Sequence, residues 1–405
     1  MYEYSEIRHV HVELTTRCNA ACPMCARNAR GVTVPGLELT ELRLGDFRRI
    51  FPPDFLTQLE AFDFCGAYGE PAIARDVTPI LAYIRDSNPG CEITLYTNGG
   101  LRTPAWWAEV ARVLGSRGRV VFAIDGIGET NGVYRRRVRF ETVVENARAF
   151  IAEGGTARWE FLAFRHNEHQ IAEAAALAAE MGFDQFSVKK TGRFLEPLYD
   201  HVPEFRDHTD LTRFPIFDGR GELVGHLEPP LEESLVNRSV LHHEDLSGPY
   251  GSLAALFDRT PIHCRVLDTA SVFVSAGGHA FPCCWTYVQA TRPALYGFPP
   301  DADRQVYDLV QATGGFGAID LRRTGLRAVV SGALFREIEA SWACGSVGEG
   351  RLRVCARACG TDFPAYFDQF ASTELLPRSL RPDGPSPRDL PVLQRPPAAG
   401  CAEPR

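Results

Sequence analysis

Lysine is nearly missing from this chain. Of 405 residues only two are lysine, and they stand side by side at Lys189 and Lys190. Arginine carries the rest of the positive charge. Genome composition accounts for that excess but not for the survival of one adjacent lysine pair. A surplus of positive charge is also missing: the net charge is −8, which gives no reason to expect nonspecific nucleic-acid binding. No apolar run reaches the roughly 18 residues of a membrane span, and the first ten residues do not read as a secretion signal. The expectation from these absences is a cytoplasmic protein, away from membranes. In that reducing compartment its 12 cysteines read as metal ligands rather than disulfides. With 45% hydrophobic and 23% charged residues it suits a globular protein of one large or two modest domains.

Residues 8–191 alternate strand and helix signals. Strands are predicted at Arg8–Thr15, Leu59–Phe64, Glu92–Tyr96, Arg119–Ile124, Arg158–Phe164 and Gln185–Lys190, with helices near 40–51, 74–86, 104–115, 140–153 and 168–181. In the last helix Ile171, Ala174, Leu177 and Met181 recur at helical spacing, and Gly182 is placed to end it. Such alternation predicts an α/β fold with a parallel sheet and helices outside, its chemistry gathered at the C-terminal strand ends. The expected division is 1–192 for this barrel-like unit, 193–260 for a proline-bearing linker that could cover its mouth, 261–375 for a second cysteine-bearing unit, and 376–405 for a disordered Pro-rich tail.

The first strand runs into Thr16-Arg-Cys18-Asn-Ala-Ala-Cys22-Pro-Met-Cys25. Thiolates suit iron–sulfur clusters and zinc alike. A C-x3-C-x2-C triplet would leave one iron of a four-iron cluster open for chemistry, whereas a structural zinc site wants a fourth ligand nearby, and no Cys, His or Asp lies between Asn28 and Glu38. Further strand ends carry Gly66-Ala-Tyr-Gly69-Glu70-Pro71, Thr97-Asn98-Gly99 and Ile124-Asp125-Gly126, followed by Arg135-Arg136-Arg137. Each also has a plainer reading: glycine-rich turns, an Asn-Gly turn, a solvated basic run. Asn167 reads as the cap of the helix after the fifth strand, with a contact to ligand as the alternative.

Taken in order, these motifs resemble the radical S-adenosylmethionine (SAM) superfamily. The resemblance implies a partial (β/α)6 TIM-like barrel in which Cys18, Cys22 and Cys25 hold a 4Fe-4S cluster. It further implies that SAM binds the open iron and is cleaved to a 5′-deoxyadenosyl radical, with Met24, Gly69, Glu70, Thr97, Asn98, Asp125 and Arg135 as its contacts. The chain departs from the family pattern at Ala123, where a serine is common, and at Met24, where many relatives carry an aromatic. Electrons would come from a flavodoxin- or ferredoxin-type donor. If Phe186 and Val188 face the helices, strand alternation turns Ser187, Lys189 and Thr191 inward. Lys189 is then the catalytic candidate, to anchor a carboxylate or take a proton; the alternative is a pair that merely flanks a strand end.

A second set, Cys264, Cys283, Cys355 and Cys359, resembles the SPASM/twitch extension of that superfamily, with Cys284 and Cys344 in reserve. Ser271–Ser275 reads as a strand of a hairpin bearing a thiol at each end. Zinc is the competing occupant. The resemblance implies an auxiliary iron–sulfur cluster, of the 4Fe-4S type, able to accept an electron, and hence a two-electron oxidation. A radical SAM oxidoreductase acting on a small molecule is the leading expectation, because the barrel signal starts close to the first residue and leaves no room there for peptide recognition. A maturase of a ribosomally made peptide is the runner-up, and a nonenzymatic zinc or electron-transfer protein the third reading.

Overall fold

The computed structural model describes residues 1–195, 212–241, 250–298, 303–362 and 369–376. The Pro-rich tail, Cys401 and, within the expected linker, residues 196–211 and 242–249 lie outside these residues. Six strands run in parallel and pair in chain order: β1 (His9–Val12), β2 (Ala61–Phe64), β3 (Glu92–Thr97), β4 (Gly118–Ala123), β5 (Thr156–Leu162) and β6 (Gln185–Lys189). Between them lie α1 (Leu44–Ile50), α2 (Val77–Ser87), α3 (Pro104–Leu114), α4 (Phe140–Ala152) and α5 (Ile171–Met181). This is the α/β arrangement of a partial (β/α)6 barrel: β1 and β6 do not pair with each other, so the ring stays open.

Three further strands extend the sheet to nine. A hairpin of β7 (Ser271–Val274) and β8 (Ala280–Phe281) turns at Gly278, whose φ of +77° favours glycine. Its strand β7 lies parallel on β1, with His9 opposite Ser271. At the other edge β9 (Phe370–Leu375) pairs antiparallel with β6. The expected hairpin is therefore present, and it joins the main sheet instead of standing apart. Its thiols mark its two ends, Cys264 before the helical turn Arg265–Thr269 and Cys283 at the start of α6 (Cys284–Leu295); Cys355 and Cys359 lie on α7 (Arg353–Cys359).

The strands are shorter than the apolar pattern suggests wherever the chain must leave the sheet to build a loop. Arg8–Thr15 was the expected first strand, but pairing within it ends at Val12, and Leu14 and Thr15 instead bond the 40–42 segment. Helix α5 ends where Gly182 adopts a left-handed φ of +83°. Asn167 does not cap it by its side chain. The buried amide accepts from the Phe164 N–H and donates to the carbonyls of Asp125 and Leu162, and so braces two strand ends.

Parallel strands covered on both faces usually read as unbroken apolar runs. Here the faces differ. Val10, Phe62, Leu95, Phe122, Trp159, Phe161 and Phe186 are buried toward the helices, packing in contacts such as Trp159–Phe186 at 5.9 Å between ring centroids. The opposite face carries His9, His11, Asp63, Tyr96, Glu160 and Lys189. A polar inner face is what a sheet needs when it lines a water- or ligand-filled funnel rather than a packed barrel core.

Candidate active site

The cysteine loop is held from three sides before any ligand is considered. The Gly69 backbone lies so close to the carbonyl of Thr15 that an added Cβ would come within 1.6 Å of its oxygen, which explains glycine there. Glu70 donates its N–H to the Arg17 carbonyl at 2.8 Å, and Ala21 donates to the Arg136 carbonyl at 3.0 Å. From the opposite side Arg193 donates to the Met24 carbonyl at 2.8 Å. Glu13, fully buried, accepts the N–H groups of Tyr68 and Gly69 at 2.6 and 3.1 Å and so fixes the glycine-rich loop. Burial, only partly offset by those donors, pushes the Glu13 carboxyl up to about 7.

These supports place Cys18, Cys22 and Cys25 in the wall of one cavity of about 420 Å³ at the C-terminal strand ends. Gly69, Glu70, Thr97, Asn98, Asp125, Arg135 and Lys189 line the same cavity. Met24 does not: its side chain is buried in the apolar core beneath the loop, and only its carbonyl meets the site, through Arg193. Asn167 is likewise buried behind the cavity, in its bracing role. Of the three consecutive arginines Arg135 alone lines the wall.

Glu70 accepts from the hydroxyl of Thr97 at 2.7 Å, the N–H of Asn98 at 2.8 Å and the N–H of Ala72 at 3.1 Å, joining the ends of β2 and β3. The Asn98 amide in turn donates to Asn19, within the cysteine loop, at 2.9 Å. Asp125, wholly buried, pairs with Arg135 at 2.5 Å and accepts from the Leu162 N–H at 2.7 Å. Burial lifts the Asp125 carboxyl, while Arg135 pulls in the opposite direction. Lys189 Nζ meets Glu160 Oε2 at 2.9 Å, and its ammonium lies 5.3 Å from the Phe370 ring centre on β9. The expected inward turn of Lys189 and Thr191 is observed, since both line the cavity.

Burial raises the Cys18 and Cys22 thiols to about 12 and about 11, so their thiolates call for a compensating cation or cluster. The Ala20 N–H donates to Cys18 Sγ at 3.4 Å, the kind of N–H···S contact that tunes a thiolate ligand. Among the described residues no three or more His, Cys, Asp and Glu side chains are drawn around one point as for a single ion. A four-iron cluster asks instead for thiols directed at different irons.

The second cysteine set shares a cavity of its own. Cys264, Cys283, Cys355 and Cys359 line a separate cavity of about 20 Å³, closed by Trp285, Ile338, Trp342 and Val354. Cys284 and Cys344 do not line it. The Cys359 thiol is lowered from its ordinary value, chiefly by a hydrogen bond from Cys264, with Arg265 also donating. Trp285 lines both cavities and forms part of the wall between them.

Sequence reasoning missed Glu13, Glu160, Trp285 and Arg357. Period-two alternation with Arg158 and Leu162 would have turned Glu160 inward beside Lys189. For Glu13 no local signal exists, because its partners Tyr68 and Gly69 are distant in sequence.

A family model described as the Radical SAM superfamily matches residues 12–189. No curated protein matches the chain. Among solved structures, SuiB of Streptococcus suis bound to its precursor peptide SuiA is 14% identical, over 89% of this chain and 75% of that chain, with a TM-score of 0.47. A second SuiB structure matches 69% of this chain but only 61% of its own, at 14% identity and a TM-score of 0.43. The anSMEcpe structure with bound AdoMet is 12% identical, over 89% of this chain and 87% of that one, with a TM-score of 0.46. Residues 12–189 thus form a domain similar to the radical SAM superfamily.

Proposed function

We propose that the protein is a radical SAM oxidoreductase with one open and one closed iron–sulfur site. The observation that carries this reading is the meeting of Cys18, Cys22 and Cys25 with Glu70, Asn98 and the Asp125–Arg135 pair on one cavity. A 4Fe-4S cluster with SAM on its open iron supplies a one-electron cleavage whose product radical can take hydrogen from an unactivated carbon. The three cysteines would hold that cluster. Arg135, fixed by Asp125, presents a guanidinium to a carboxylate, and Gly69 and Asn98 offer backbone and amide groups for the rest of an amino-acid moiety. Thr97 is committed to Glu70 and positions it.

Cys264, Cys283, Cys355 and Cys359 would hold an auxiliary iron–sulfur cluster, which when bound can accept an electron. Four thiols around a cavity of about 20 Å³ leave no space for a substrate beside it. Lys189, held by Glu160 at the cavity wall, is placed to receive or give a proton at its Nζ as a carbon centre is oxidised. At about 420 Å³ the main cavity lies toward the small end of the usual 300–1,000 Å³ range for ligand sites. It must admit SAM as well, which favours a small molecule as substrate. The test is anaerobic reconstitution with iron and sulfide, then reduction with SAM. Release of 5′-deoxyadenosine, lost in Cys18→Ala, supports the reading; a zinc-loaded protein without SAM cleavage overturns it.

A further inference from the structure

The edge strand β9 adds almost nothing to the core. Every residue from Phe370 to Leu375 is exposed, Phe370 by 41% and Leu375 by 70%. The strand is held on β6 by its ladder of backbone bonds and by a hydroxyl contact, Ser187 to Thr373 at 3.2 Å. Yet it begins at the active cavity. Gln369, just before it, lines the cavity wall, and the Gln369 carbonyl accepts the N–H of Lys190 at 2.8 Å. What the strand brings to that place is an aromatic ring.

The ring is delivered by an irregularity. Ser372, Thr373, Glu374 and Leu375 pair in regular order with Val188, Ser187, Phe186 and Gln185. Continued in the same way, the ladder would set Ala371 opposite Lys189. Instead the register shifts and Phe370 takes that place. A bulge of this kind re-aims a side chain. Facing residues of an antiparallel pair lie close enough to interact. Here Lys189 Nζ stands 5.3 Å from the Phe370 ring centre, and the Arg158 guanidinium carbon stands 5.0 Å from the same ring. Both cations also meet the buried Glu160, Lys189 at 2.9 Å and Arg158 at 3.3 Å. A lysine stem is flexible, so a single ion pair leaves its end free to swing. The carboxylate and the ring are two separate tethers on one ammonium, and an alanine in the ring's place would remove the second.

Resting on the reading of Lys189 as the group that handles the proton, we propose that Phe370 is a positioning residue. Its ring holds the Lys189 ammonium beside Glu160 at the cavity wall, and the bulge in β9 exists to put it there. The active site is thereby completed from beyond the six parallel strands of the barrel.

The scarcity of lysine makes the tether measurable, because Lys189 and Lys190 are the only two in the chain. The full-length protein, reconstituted anaerobically, is acetylated briefly with a low dose of an N-hydroxysuccinimide ester, and the ratio of Lys189 to Lys190 labelling is read by tandem mass spectrometry. Lys190, whose N–H is bonded to Gln369, is the internal reference: a general loosening of the strand moves both lysines, whereas loss of the ring moves Lys189. Phe370→Leu, which keeps apolar bulk without an aromatic face, should raise the ratio about two- to fivefold, the size of an exposed cation–aromatic contact. Phe370→Tyr, which keeps the ring, should hold the wild-type ratio. Thr373→Ala, which removes the contact to Ser187 but leaves the ring, should hold it too. A ratio unchanged in Phe370→Leu, or raised as much by Phe370→Tyr or Thr373→Ala, overturns the proposal. Release of 5′-deoxyadenosine by the wild-type protein in the same preparation reports separately on the radical SAM reading, so the two can fail independently.

Discussion

The two cysteine-lined cavities are built from opposite plans. In the large one, three thiols come from a single loop of eight residues, and the remaining wall mixes charged, polar and apolar side chains, many of them from strand ends. In the small one, four thiols come from three separated segments, and the rest of the lining is mainly apolar. A loop fixed by backbone hydrogen bonds leaves one side of its thiols open to an incoming molecule. Thiols brought from a helical turn, a hairpin and a helix line a small cavity closed by apolar side chains instead. Access to the thiols is thus set by where in the chain they come from, not by how many there are.

The strongest way to break the comparison is to remove one thiol from each site. Cys22→Ala should reduce 5′-deoxyadenosine release to background, measured by liquid chromatography and mass spectrometry under dithionite. Cys264→Ala or Cys359→Ala should lower bound iron and sulfide by about half, if each site holds a 4Fe-4S cluster, yet retain SAM cleavage. Equal loss of cleavage from both sites would erase the distinction drawn here.

A second test concerns the charge pair that supports the open site. Asp125 is fully buried and its partner Arg135 largely so. Removing one member strands the other, so Arg135→Gln should cost about 3–5 kcal/mol in urea unfolding. The double variant Asp125→Asn/Arg135→Gln should cost less than that single change. A cost below about 1 kcal/mol for Arg135→Gln would place the pair among exposed bridges.

The smallest effect is one of pH. Glu13 has its carboxyl raised from an ordinary 4.5 to about 7. Because the folded value is the higher, the folded state holds this proton more tightly. The stability it lends is complete below pH 4.5 and lost as pH rises through about 7. Full ionisation costs about 3 kcal/mol, so Glu13→Gln should flatten the fall in stability between pH 5.5 and 8 seen in urea titrations. An unchanged slope would contradict the burial argument.

Much of the fold was legible because alternation survives in the sequence: Phe62 and Phe64 against Asp63, or Phe186 and Val188 against Lys189, announce one apolar and one wet face. Most of the site was legible because its residues follow strand ends in order. Four features were not. Met24 stands between Cys22 and Cys25, yet its side chain is buried in the core. Asn167 occupies a cap position, but its amide is used to join two loops. The edge strand Phe370–Leu375 pairs with β6, Phe370 lying opposite Lys189 far back in the sequence, which no local pattern encodes. Arg357 is hidden by its own motif, since the cysteines around it draw attention to the opposite helix face.

Electron paramagnetic resonance of the reduced protein, recorded with and without SAM, tests the open-and-closed distinction most directly. The account predicts two iron–sulfur signals, of which one shifts when SAM is added and disappears in Cys22→Ala, while the other is insensitive to SAM and disappears in Cys264→Ala. Signals that are all unmoved by SAM, or a second signal that survives the loss of Cys264 and Cys359, would contradict it.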